Sequence, residues 1–182
     1  MSENLPHRAA ATTPMQAEPW EGELPSRLLA AVPEGGIACL TYLGQPFVEV
    51  RSDAVLRVLA FLRDAEQFDF LTDLTAVDRA CDPHRFEIIY FLYSFTHNQR
   101  LRVKTRVSLD QEPASITSLF PAADWLEREV FDMFGIRFAG HPDLKRILLP
   151  DEWQGFPLRK DTSILAMDQD WVRGNLHIES GQ

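Results

Sequence analysis

The chain changes its hydrophobic rhythm several times, and each change marks an element. In SDAVLRVLAFLRDAE (52–66), apolar residues fall at 55, 56, 58, 59 and 62 behind a Ser/Asp start, the stripe of an amphipathic helix. Three strand-like runs follow, FDFLTDLTAV (68–77), RFEIIYFLYS (85–94) and RLRVKTRVSL (100–109), with Asp82-Pro83 and Thr96-His97-Asn98 in the turns between them. Upstream, PSRLLAAV (25–32) reads as a short helix entered at Pro25 and ended by Pro33-Glu34-Gly35-Gly36. IACLTYL (37–43) and PFVEV (46–50) flank Gly44-Gln45, a tight hairpin turn. Downstream, a short helix over 114–120 closed by Pro121 precedes a longer one from Trp125 to Phe134, stopped by Gly135. The order β-β-α-β-β-β-α predicts an α+β fold, an antiparallel or mixed sheet with helices packed on one side.

Both ends lack periodicity. Residues 1–19 mix Ala, Thr, Pro, Gln and single charges and read as a mobile tail, leaving 20–140 as the α+β domain. After Gly140, Pro142, Pro150, Gly155, Pro157 and Gly174 break any period, yet Leu144, Ile147, Leu148, Leu149, Trp153, Phe156, Leu158 and Trp171 need cover. Residues 141–182 are therefore expected to form a long extended C-terminal segment that wraps partner subunits, with 141–150 folding back on its own domain. Arg159, Lys160 and Asp161 would supply polar contacts at that interface.

Composition narrows the function. A hydrophobic content of 45% in 182 residues is enough for one real core. A formal charge of −9 argues against nucleic acid as a partner and gives no reason to bind an anionic membrane directly. No apolar run reaches the roughly 20 residues of a membrane span, and the first residues lack the core of a signal peptide, so a soluble, cytosolic chain is expected. Cys39 and Cys81 stand far apart without a CxxC neighbour and read as structural thiols.

The helix at 125–134 gathers the candidate chemistry. Asp124 with Glu127 has the form of a capping box, which would turn the Glu127 side chain back to the Asp124 amide. Arg128, Glu129 and Asp132 share a polar arc with Trp125, and Arg128 can pair with Asp132 four residues on. Leu126, Val130, Met133 and Phe134 face the core. Glu127 lies on the apolar flank, where a carboxylate needs a partner: the cap is one reading, a buried ion pair with a distant Arg or Lys the other. A catalytic set is disfavoured, because Glu127 and Glu129 diverge by about 160° around the helix. None of the five histidines sits three or four residues from another, and no HExxH, EF-hand, GxSxG, P-loop or GxGxxG occurs. In 100–109, Arg100, Arg102, Lys104 and Arg106 alternate with Leu101, Val103, Val107 and Leu109; the basic stripe is either a solvated sheet face or a surface for an acidic partner.

The stretch EREVFDMFGIRFAGHPDLKRILLPDEWQGFPLRKD resembles the signature of the C-subunit family of the proton-pumping NADH:quinone oxidoreductase, respiratory complex I. The matching residues are Glu127, Arg128, Glu129, Asp132, Met133, Phe134, Gly135 and Ile136, then Gly140, His141, Pro142, Asp143, Leu144, Arg146, Ile147 and Leu148, and finally Gly155 with Pro157 through Asp161. Thr162-Ser163 departs from the aromatic and proline that many members place there. The resemblance implies a separate polypeptide of the peripheral arm beside subunits D, B and I, on the cytoplasmic face of the bacterial inner membrane. It implies no cofactor in this chain, in a parent complex that uses FMN, iron–sulfur clusters, NADH and quinone. The signature residues expected at partner interfaces are Glu127, Arg128, Glu129, Asp132, His141, Asp143, Lys145, Arg146, Trp153, Arg159, Lys160 and Asp161. Two other expectations stand beside it: the equivalent subunit of a membrane-bound hydrogenase or formate hydrogenlyase, and a free-standing adaptor.

Overall fold

The computed structural model describes residues 16–80, 82–162 and 173–174. Among them the elements run β1 (Glu18–Pro19), α1 (Glu23–Ala31), β2 (Ala38–Tyr42), β3 (Gln45–Glu49), a 3-10 turn (Ser52–Ala54), α2 (Val55–Asp64), β4 (Phe70–Asp78), β5 (Phe86–Ser94), β6 (Gln99–Val107) and α3 (Ala123–Phe134). The described strands form a six-stranded sheet in the order β1-β2-β3-β6-β5-β4. Neighbours are antiparallel except β3 and β6, which run parallel with Phe47 opposite Arg102. The expected α+β fold with a mixed sheet is what the chain forms.

Alternation places the core. Phe86, Ile88, Tyr90 and Leu92 of β5 and Leu101, Val103, Thr105 and Val107 of β6 are buried on one face of the sheet. Against them pack Leu28 of α1, Val55, Val58, Leu59 and Leu62 of α2, and Val130 and Phe134 of α3, all in one cluster. Each such side chain contributes about 1.5–3 kcal/mol by leaving water. The opposite face carries Ile89, Phe91 and Tyr93 of β5 beside Arg100, Arg102, Lys104 and Arg106 of β6.

Three local expectations are corrected. The β2–β3 turn is Leu43-Gly44, one residue earlier than predicted, with φ of 52° and 72°; two positive φ values give the primed turn that matches strand twist. Residues 114–120 form no helix. Ser115 N–H donates to Ala139 O and Ala139 N–H to Pro113 O, each at 2.8 Å, so this stretch bridges to the chain after α3, and only a turn closed by Phe120 N–H on Ile116 O at 2.9 Å follows. Part of the tail expected to be mobile is held: Glu18 pairs opposite Thr41, and Trp20 N–H donates to Cys39 O at 2.9 Å. Residues 1–15 lie outside the described residues. Cys39 is a half-buried free thiol whose pKa burial pushes up, and Cys81 lies outside the described residues.

Candidate functional site

Helix α3 and the segment that follows it make one polar knot. The helix starts at Ala123, with Ala122 as an N-cap that makes no side-chain bond, and ends at Gly135, whose φ of 74° gives the left-handed stop. That start overturns the capping box. Asp124 lies inside the first turn, and Glu127 does not reach back to it. Instead Glu127 is fully buried, and its Oε1 accepts the Ile116 N–H at 2.7 Å. The alternative of a buried pair with Arg or Lys is not formed either: the cation-forming side chain beside Glu127 is His141, with Nε2 4.0 Å from Oε2. Asp143 N–H donates to His141 Nδ1 at 3.1 Å, so that nitrogen accepts and Nε2 carries the proton towards Asp124 O at 3.1 Å and Asp124 Oδ1 at 3.2 Å. Burial pushes the Glu127 carboxyl above its ordinary range, and the bond from Ile116 only partly offsets this.

Asp132 is the second correction. It does not pair with Arg128 on an exposed arc but is fully buried. Its Oδ1 accepts Arg146 Nη1 at 2.6 Å, and its Oδ2 accepts the N–H groups of Ile147, Leu148 and Leu149 at 3.1, 2.8 and 2.9 Å. Burial alone would raise this carboxyl, but the backbone donors and the guanidinium outweigh it and hold it below the ordinary carboxylate range. Arg146 also donates through Nη2 to Trp153 O and Gly155 O, both at 3.2 Å, and lies over the Phe156 ring. Arg128 lies over Trp125 and donates to Lys145 O and Arg146 O, both at 3.2 Å. Two guanidiniums and one carboxylate thus satisfy the backbone of a stretch with no regular structure, where unpaired groups would be costly.

The last described turn closes on the sheet. Leu158 N–H donates to Met133 O at 3.1 Å, and Arg159 Nε donates to Phe134 O while its guanidinium covers Phe156 at 4.4 Å. A Cβ on Gly135 would meet Arg159 Nη2 at 2.5 Å and Phe156 at 2.6 Å, so this close approach also requires glycine. Asp78, at the end of β4, accepts Arg85 Nε at 2.9 Å and Nη2 at 2.6 Å and the Lys160 N–H at 2.8 Å, while Arg85 Nη1 reaches Asp161 at 2.7 Å. The Arg85 bonds hold the Asp78 carboxyl far below its usual range. Residues 141–162 therefore lie on the chain's own body, further than the expected 141–150; the rest of the expected wrapping segment, apart from residues 173–174, lies outside the described residues.

Of the expected residues, the structure brings Arg128, Asp132, Arg146, Arg159 and Asp161 into this knot through their side chains. Lys145, Trp153 and Lys160 join through backbone groups. Glu127 and His141 form a separate buried pair, Asp143 and Lys145 pair on the surface at 2.6 Å, and Glu129 stays exposed. Asp78 and Arg85 were missed, and Phe156 was expected only as an apolar side chain in need of cover. Their sequence signal was faint: an Asp closing a strand, an Arg opening the next, and one of two aromatics between two prolines. Among the described residues no three metal-ligating side chains converge, and no helix is long and apolar enough to cross a membrane.

A mixed six-stranded sheet, helices on one face and a pinned irregular segment define a small α+β subunit fold that recurs in solved structures. A trypsin-resistant fragment (1–134) of Nqo5 superposes with a TM-score of 0.58 at 31% identity, covering 66% of this chain and 98% of that one. A chain of the membrane-bound sulfane sulfur reductase, an archaeal respiratory membrane complex, shares the fold with a TM-score of 0.68 at 23% identity, over 85% of this chain and 90% of its own. In sequence, residues 48–167 match the model of the respiratory-chain NADH dehydrogenase 30 kDa subunit. The C subunit of NADH-quinone oxidoreductase from Citrifermentans bemidjiense is 44% identical over 139 residues, 76% of this chain and 86% of that protein. Its counterpart from Roseiflexus sp. is 44% identical over 144 residues, 77% and 82% of the two chains. The chain belongs to the 30 kDa subunit family of respiratory-chain NADH dehydrogenase.

Proposed function

We infer that this chain is a structural and assembly subunit of an NADH:quinone oxidoreductase, carrying no catalytic residue of its own. It serves electron transfer from NADH to quinone coupled to proton translocation by holding other subunits in place. FMN and iron–sulfur clusters belong to those neighbours, and subunits D, B and I are the expected contacts, on the cytoplasmic face of the inner membrane. The observation that carries this reading is the Asp132–Arg146 knot in a chain of this family: it spends the ionisable residues of the signature on fixing a loop. What the loop then offers outward is Leu148 and Leu158, 61% and 53% exposed, a surface made for contact.

Isolation of the tagged chain under native conditions from its own membranes tests this. Recovery with iron–sulfur subunits and a flavin-dependent NADH dehydrogenase module is the expected result; a lone monomer, as a free-standing adaptor would give, overturns it. A second reading, the equivalent subunit of a membrane-bound hydrogenase or formate hydrogenlyase, draws on the fold shared with the sulfane sulfur reductase chain. It predicts recovery with a nickel–iron hydrogenase subunit instead. The identity to the two NADH-quinone oxidoreductase chains over three quarters of this one favours the first.

A further inference from the structure

The face of the sheet turned away from the helices is not covered by any described element, and its residues sort by strand. Across it run the rows Phe70–Tyr93–Arg100, Asp73–Phe91–Arg102–Phe47, Thr75–Ile89–Lys104–Glu49 and Val77–Glu87–Arg106. The β4–β5 half is apolar at the end that carries Phe70, Phe91 and Tyr93, with Asp73, Thr75 and Glu87 as its polar members. Phe70 and Phe95 are 48% and 69% exposed, and Phe95 meets Phe70 and Tyr93 edge-on at 5.5 and 4.8 Å. The β6 half is a column of cations on a chain of net charge −9. Towards one end the column is compensated: Glu87, nearly buried, takes Arg79 at 2.8 Å and Lys104 and Arg106 at 3.7 Å. Towards the other, Arg102 lies over the Phe47 ring, and neither Arg100 nor Arg102 meets a carboxylate among the described residues. A groove of about 700 Å³ opens at this end between Trp20, Phe91, Tyr93, Arg100 and Arg102.

We propose that this open face seats an amphipathic helix of a partner protein in the same assembly, with two carboxylates one turn apart that bind Arg100 and Arg102 while its apolar side covers Phe70, Phe91, Tyr93 and Phe95. The proposal rests on the docking role inferred above and names where one partner sits and what it must present. The dimensions fit. Same-face residues two apart on a strand are about 6.7 Å apart, and carboxylates four apart on a helix are about 6 Å apart. A helix roughly 10 Å wide spans about two strand spacings of ~4.8 Å, so over β5 it touches the apolar half on one side and the cations on the other. A second copy of this chain is a poor occupant, because an isologous pairing sets this basic face against itself. The chain's net charge likewise opposes an anionic lipid surface.

The test uses the full chain, tagged and expressed in its own cells, with R100E/R102E and F70S/F95S variants isolated natively beside wild type. Phe70, Phe95 and Arg100 are exposed and Arg102 is half-buried over Phe47, so unchanged melting of the purified chains is needed to establish that each variant folds. The expected result is wild-type recovery of the partner subunits and about tenfold less with either variant, as loss of desolvated charge pairs or apolar anchors gives. A photo-crosslinking side chain in place of Asp73, exposed and opposite Phe91 at this end of the face, should join a helix of another subunit that bears Asp or Glu at i, i+4, and changing those two to Lys should restore recovery with R100E/R102E. Wild-type recovery matched by both variants overturns this proposal and leaves the docking role standing; no subunits recovered with wild type overturns the docking role itself. Crosslinks confined to this chain or a second copy, or R100E/R102E-sensitive binding of the purified chain to phosphatidylglycerol vesicles, also overturn it.

Discussion

Replacing Asp132 with Asn probes the knot with a minimal change of shape. One carboxylate oxygen accepts three backbone N–H groups and the other a guanidinium, in a side chain with no exposure. An amide can serve only one of these roles. With its oxygen towards residues 147–149, its NH2 confronts Arg146; reversed, three amides lose their acceptor. Removing one partner of a buried pair costs about 3–5 kcal/mol. The chain need not unfold to relieve it, because residues 145–155 can leave the surface locally, so the global melting point should fall less than local protection does. Amide exchange at Ile147, Leu148 and Leu149 should accelerate by about 10²–10³-fold or more in D132N, since each 1.4 kcal/mol is a decade. Acidification should imitate the mutation in wild type alone. The folded carboxyl titrates below its unfolded value of about 3.9, so its contribution is complete above that pH and is lost as pH falls through the lower folded value. Exchange at 147–149 unchanged in D132N, with a urea midpoint equal to wild type, would refute the assignment of Asp132 as the anchor of the segment.

Glu127 should behave in the opposite sense. Its folded pKa lies above the unfolded value of about 4.3, so its stabilisation is complete below that value and declines as pH rises through the folded one. E127Q should therefore equal or exceed wild type in urea stability near pH 8, with the advantage shrinking towards pH 4; a larger deficit for E127Q at pH 8 than at pH 4 would contradict this. E127A, which strands the Ile116 N–H and opens a cavity, should lose about 2–3 kcal/mol near pH 4 and less near pH 8, where the wild-type contribution has declined. G135A forces a side chain into φ 74° and against Arg159 and Phe156, and should cost about 1–3 kcal/mol in denaturant unfolding; a loss under about 0.5 kcal/mol would mean the contact relaxes freely.

How legible the fold was depended on periodicity. The strands 86–94 and 99–107 and the helix 55–64 each bury one face of a regular spacing, so pattern alone located the strands to within two residues and the helix to within three. The candidate site was legible only as a set of residues. A helical wheel assigns Asp132 to the polar arc because its partners come from 146–149, a stretch whose lack of period hides where it lies. Glu127 did stand out, since a carboxylate on an apolar flank must be answered, but its answer was a backbone amide from residue 116 and a histidine from 141. Asp78 and Arg85 show the same limit: ion pairs closed by tertiary structure leave no spacing to read.

The parallel pairing of β3 with β6 has a consequence for how this chain becomes a protein. Phe47 and Val48 find their neighbours at Arg102 and Val103, and β4 and β5 lie on the far side of that junction. Until residue 103 has been synthesised, the N-terminal hairpin has no sheet to join, and a lone hairpin is marginal in water. Closing so long a loop before any reward makes the step slow and keeps apolar strands waiting in the open. Folding of the body is thus all-or-none in β6. A product truncated before it is substrate for chaperones and proteases, and assembly of the larger enzyme receives either a whole subunit or nothing.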